Sequence, residues 1–170
     1  MNYDPQRHHR HSIRLPGYDY AGVGVIFITV CTYQRENLFA EIIAESMVRN
    51  SVGNIVNTTW QDLPRRFPDL ILDAFVVMPN HIHGILIFPD QPINSAPPFP
   101  PAALGHVLRA FKSISAVASN RFLERHEWPL WQRGYYEHVV RNELVLDKAR
   151  SYIDNNPKNW YRDADNPVFL

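Results

Sequence analysis

A single cysteine, Cys31, rules out a disulfide within the chain, so the fold must be held by its core. Cys31 is expected to be a small buried hydrophobe in a cytoplasmic protein. No apolar run approaches the ~20 residues that span a bilayer, which excludes a membrane-spanning helix and makes a membrane partner unexpected. The opening stretch "MNYDPQRHHRHSIRLPG" is polar and cationic, with no hydrophobic segment of the secretory kind. Net charge is also missing: with neutral histidines it is zero, so total charge gives no sign of a nucleic-acid partner. Internal repeats and composition breaks are absent as well. The reading is one domain over 1–170, with a polar arm over 1–20.

What is present is polarised. Gly105–Arg141 holds six Lys/Arg against Glu124, Glu127 and Glu137, whereas Glu36–Asp73 carries an excess of acid. A neutral protein of this kind can still turn one basic face to phosphate. The run "GVGVIFITVCTY" (22–33) is β-branched and apolar on both faces, the pattern of a central strand. Across 40–60, Ala44, Val48, Val52, Ile55 and Thr59 recur at spacings of three and four, which predicts a helix. "LILDAFVVMP" (70–79) and "HIHGILIF" (81–88) read as a hairpin turning at Pro79-Asn80. Six of the fourteen prolines lie in 89–101, an extended loop. Leu104, Val107, Leu108, Phe111, Ile114, Ala118 and Phe122 mark a second long helix, and "YYEHVVR" (135–141) a last strand. Asn142 is placed to cap a final helix that Pro157 should stop near Asn156. The order β-α-β-β-α-β plus one helix is an α+β, ferredoxin-like split βαβ arrangement: an antiparallel sheet with helices on one face, followed by a C-terminal helix.

Within the hairpin, His81 and His83 open the second strand. Residues i and i+2 of a strand share a face, so two imidazoles stand side by side, at a desolvation cost unless something lies between them. On the final helix, Leu144, Lys148, Tyr152 and Asn156 follow one another at a spacing of four, so a cation, a phenol and an amide share a line. Taken alone, that line is a solvated face with a partly buried tyrosine. Combined with the histidines it offers more: two imidazoles begin a metal site, and an amide oxygen from a helix packed on the sheet supplies a third ligand. Tyr152 then points towards whatever the metal binds.

Four stretches resemble one family. "MPNHIHGIL" looks like the histidine–hydrophobe–histidine motif of the single-tyrosine HUH endonucleases, and "SYIDNNPKNW" is similar to the tyrosine helix of their transposase branch. "RLPGYDYAGVGVIFITVCTYQRENLF" and "WQRGYYEHVVRNE" narrow the resemblance to the REP-associated tyrosine transposases. It implies a Mg²⁺ or Mn²⁺ ion held by His81, His83 and Asn156, with Tyr152 as nucleophile. Attack by Tyr152 would give a 5′-phosphotyrosine and release a 3′-OH able to reverse the step, so that strands are cut and rejoined without ATP. The implied substrate is single-stranded DNA near REP-like hairpin palindromes, handled by a monomer or homodimer.

A phenol with an ordinary pKa is ionised to about one part in a thousand at neutral pH. Tyr152 therefore needs metal polarisation, with Lys148 lowering its pKa and water taking the proton. Arg109, Lys112 and Arg133 are expected phosphate contacts, and "QRHHRHSIR", ending at Arg14, an arm along the DNA. Tyr135 and Tyr136 fit stacking or packing. Two other functions compete: a ferredoxin-like module that grips hairpin nucleic acid without cutting it, and a metal phosphodiesterase in which water attacks.

Overall fold

A computed structural model of the chain describes residues 24–43, 46–89, 104–125 and 128–163. The N-terminal arm with Arg14, and the proline-rich loop beyond Pro89, lie outside these residues. The elements in order are β1 (Gly24–Cys31), β2 (Ala40–Ile43), β3 (Ser46–Arg49), α1 (Ser51–Gln61), a single turn α2 (Leu63–Arg66), β4 (Ile71–Val77), β5 (His81–Phe88), α3 (Leu104–Phe122), β6 (Tyr136–Val140) and α4 (Glu143–Asn159). A four-stranded sheet runs β4-β5-β1-β6 with every neighbour antiparallel, and β2-β3 form a separate ribbon. This is the expected split βαβ order with its added C-terminal helix.

Strand alternation sorts the two faces. Ile26, Ile28, Val30, Ile82 and Leu86 point to α1 and α3, where Val52, Val56, Trp60, Val107, Leu108 and Phe111 close the main core. Trp60 stacks on Phe75 at 4.4 Å and lies flat against the one β5 residue on this face without a side chain, Gly84. A Cβ on Gly84 would stand 2.5 Å from the indole, so this position admits only glycine without displacing Trp60. The other face carries Val25, Phe27, Ile85 and Ile87 against Val145, Leu146, Ala149 and Ile153 of α4. His81 and His83 share the parity of Ile85 and therefore belong to the α4 face.

Three expectations are corrected. The predicted helix over 40–60 begins only at Ser51; before it, Ala40 pairs with Arg49 in the β2-β3 ribbon. Asn50 sets the boundary, its side chain accepting a hydrogen bond from the Gly53 amide. Val48 is half-exposed, so its helical spacing from Val52 and Ile55 is coincidence. In α3 the buried stripe runs on through Ser115 and Ser119, leaving Ile114 and Phe122 exposed. Trp131 fills that space, and its indole N–H donates to Ser115 Oγ at 2.9 Å. Finally, Pro157 does not stop α4, which continues to Asn159 and into a 3-10 turn ending at Arg162. A proline in the last turn forfeits only one helical bond, and burial of Trp160 against the His81 ring draws the chain onward.

Asn142 caps α4 as expected, accepting from the Val145 amide at 3.0 Å. A register irregularity in β4 between Leu72 and Phe75 turns Asp73 towards α4. There it grips Arg150 with two hydrogen bonds, of 3.0 and 2.8 Å. The guanidinium holds the Asp73 carboxyl below its ordinary range. Helix α4 is thus pinned to the sheet edge by a bidentate pair.

Candidate active site

The two histidines emerge from the first turn of β5 and are fully buried. The turn residue Asn80 orients His81: its Nδ2 donates to the Arg35 carbonyl at 3.1 Å, which leaves Oδ1 facing His81 Nδ1 at 2.8 Å. An amide oxygen only accepts, so His81 carries its proton on Nδ1 and presents a bare Nε2. His83 Nδ1 lies 2.8 Å from Thr29 Oγ1 on the neighbouring strand. The two Nε2 atoms then meet at 3.0 Å. Two lone pairs at that separation repel unless a proton or cation stands between them. Neighbouring ligands of an octahedral ion, each at ~2.1 Å, are about that far apart.

Burial holds both rings neutral, with pKa values of about 3. A nearby Arg35 guanidinium adds to the effect on His81, and the His81 ring adds to that on His83. Neutral imidazole is the form that binds metal.

Helix α4 brings the third group. Asn156 is buried, and its Oδ1 has no hydrogen-bond partner. Its amide N–H groups serve the Tyr152 phenol and the Asp163 carboxylate. Two neutral imidazoles with facing Nε2 atoms, and a buried amide oxygen on α4 that lacks a partner, are donors of the kind a divalent cation takes, so the residues fit the metal that the sequence suggests. The structure adds one group that the sequence reading missed. Asp163 lies with its carboxylate and the two histidine nitrogens all within 4.8 Å of one another. It went unnoticed because α4 was expected to end at Asn156. A carboxylate hardens a site otherwise made of imidazole and amide.

Tyr152 lies one turn before Asn156, its hydroxyl 3.5 Å from His83 Nε2 and its ring edge-on to His83 and Phe27. Burial, then the Asp163 carboxylate, push its pKa above the ordinary value, against a smaller lowering by Asn156. Lys148 is exposed and lines the same cleft, but the phenol's pKa is set by those three influences, not by Lys148. The cleft holds about 760 Å³ between β6, β1 and α4, and the free thiol of Cys31, only half-buried, is on its wall.

The expected phosphate contacts separate. Lys112 is corrected: its ammonium donates to the carbonyls of Gln132, Arg133 and Gly134, the last two at 3.3 and 3.1 Å. An ammonium has three N–H donors, and all are used on the backbone. Arg133 is exposed on the loop so held, at the edge of the cleft. Arg109 is exposed on α3, in the layer across the sheet from Tyr152. Among the described residues, no helix is long and apolar enough to cross a membrane.

Set against known proteins, this is the fold of a tyrosine transposase. A REP-associated tyrosine transposase solved bound to a REP hairpin superposes with a TM-score of 0.61 at 21% identity, over 86% of this chain and 73% of that one. A putative transposase of Deinococcus radiodurans R1 aligns at 19% identity over 85% of this chain and 97% of that one, with a TM-score of 0.49. In sequence, the chain belongs to the family of an uncharacterized protein of Haemophilus influenzae, to which it is 38% identical over 173 residues, 95% of each chain. No protein-family model matches it.

Proposed function

We propose that the chain is a REP-associated tyrosine transposase in the HUH sense: a metal-dependent endonuclease and strand transferase acting on single-stranded DNA beside REP-type hairpins. The observation that carries this reading is the convergence of two buried imidazoles and a carboxylate with a phenol. His81 Nε2 and His83 Nε2 lie 3.0 Å apart, the two rings and the Asp163 carboxylate each offer a ligand atom within 4.8 Å of the others, and the Tyr152 hydroxyl is 3.5 Å from His83 Nε2. A hairpin-gripping module has no use for such a cluster.

His81, His83 and Asn156 would hold Mg²⁺ or Mn²⁺, with Asp163 as a further ligand, and the nitrogen donors favour Mn²⁺. A divalent ion at that place supplies polarisation of a non-bridging phosphoryl oxygen. The Tyr152 oxygen forms a bond to phosphorus while the bond to the 3′ oxygen breaks. The phenolic proton passes to water in the cleft, and the departing oxygen takes one up to become a 3′-OH. The product is a 5′-phosphotyrosine, and attack by a 3′-OH reverses the step. Lys148 and Arg35, both on the cleft wall, offer positive charge to the phosphate.

The test is a denaturing gel of purified protein with end-labelled hairpin-flanked single-stranded DNA and Mn²⁺, beside Tyr152→Phe. Label that migrates with the wild-type protein alone is the expected result. Metal-dependent cleavage surviving in Tyr152→Phe would replace the tyrosine by water as nucleophile. Binding with no cleavage in either would leave the hairpin-gripping module.

A further inference from the structure

We propose that the cleft beside Tyr152 is a nucleotide subsite in which Tyr136 is the platform for the base next to the scissile phosphate. This rests on the reading of the chain as a single-stranded DNA strand-cutting enzyme and names the part of the substrate it grips.

The sheet register places the residues. His83 pairs with Thr29, and Thr29 with Tyr136, so one rung runs from the metal ligand to the edge strand. The next rung joins Ile85, Phe27 and His138. Strands are about 4.8 Å apart, so Tyr136 stands about 10 Å along the sheet from His83. That is near enough for the nucleotide bonded to a phosphate at Tyr152.

Burial then separates Tyr136 from its row. Thr29 is 8% exposed and His83 2%, yet Tyr136 is 53% exposed on the same face. It borders the 760 Å³ cleft, where Phe27, Val145 and Ala149 supply apolar surface. Lys148 and Arg35 are cations on the same lining, and none of the described residues lining it is a carboxylate. Flat apolar surface beside the exposed Lys148 cation suits a base attached to a phosphate. The wall formed by Gln132 and Gly134 is held by the Lys112 ammonium from α3, so the cleft has a fixed side.

The experiment uses the full chain carrying Tyr152→Phe, so that DNA is not consumed, and measures fluorescence anisotropy of a labelled single strand with Mn²⁺. Adding Tyr136→Ala should weaken binding about ten- to a hundredfold, whereas Tyr136→Trp should keep it. On strands carrying one abasic residue at successive positions, the alanine penalty should vanish at one position, which identifies the stacked nucleotide. Equal affinity of the alanine variant and its parent at unchanged melting temperature would overturn the subsite alone. An alanine penalty that persists at every abasic position would do the same. Absence of binding by the parent to any single strand would overturn the DNA reading and the subsite together.

Discussion

Asn80 Oδ1 and His81 Nδ1 lie 2.8 Å apart, and this contact decides which nitrogen of His81 faces His83. Replacing Asn80 with alanine leaves the Arg35 carbonyl without its amide donor and frees the His81 ring to turn. Outer partners of this kind are worth about 10- to 100-fold in metal affinity. Asn80→Ala should weaken Mn²⁺ binding by that factor in calorimetric titration, and unchanged affinity would show that packing alone fixes the ring.

Acid should destabilise the protein through the same pair. In the folded chain both rings stay neutral down to about pH 3, while in the unfolded chain they take protons at their ordinary value near 6.5. The unfolded state therefore binds more protons below pH 6.5, and stability falls as the pH drops through that window. The slope is about 1.4 kcal/mol per pH unit for each ring. Urea midpoints should be flat from pH 7 to 8 and fall steeply from 6.5 to 4.5. His83→Phe should reduce that slope.

Asn156 holds an unsatisfied oxygen in the interior, a cost with no return in stability that the proposed ligand role would explain. Asn156→Leu, close in shape, removes the orphaned acceptor at the loss of the amide's bonds to Tyr152 and Asp163. Metal-free melting temperature should change by no more than the equivalent of about 1 kcal/mol, while the rise on adding Mn²⁺ should disappear. A large loss of stability without metal would mean that the amide is structural.

Lys112 and Arg133 should separate cleanly in salt titrations. Lys112→Met leaves three carbonyls without their donor and should cost about 1–3 kcal/mol of stability. The dependence of DNA affinity on salt should keep its slope. Arg133→Ala should spare stability and reduce that slope by about one. The reverse pattern would return Lys112 to the DNA surface.

Sequence periodicity located the sheet and the histidines because strand alternation and a Pro-Asn turn are local signals: β5 begins at His81, where Pro79-Asn80 predicts it. The Asn142 cap was legible for the same reason. The β2-β3 ribbon was not, since Val48 and Val52 happen to fall at helical spacing and only the pairing of Ala40 with Arg49 reveals strands. Lys112 and Arg109 look alike in sequence, both cations on one helix; their difference lies in a loop twenty residues on in the chain, whose carbonyls reach Lys112 alone. Asp163 was hidden behind Pro157, whose usual stop is overridden by burial of Trp160.

Because α4 is one continuous rod pinned by Arg150 to Asp73, Tyr152 and Asn156 cannot be displaced independently. Any shift of the rod that withdrew the Asn156 amide from the histidines would also withdraw the Tyr152 phenol. On the proposed reading, loading of an ion and presentation of the phenol are then a single equilibrium: whatever free energy the cation gained from Asn156 would hold Tyr152 at its post. An ion too large or too small for the seat should misalign the hydroxyl as well as bind weakly, making the choice of metal also a choice of reaction geometry.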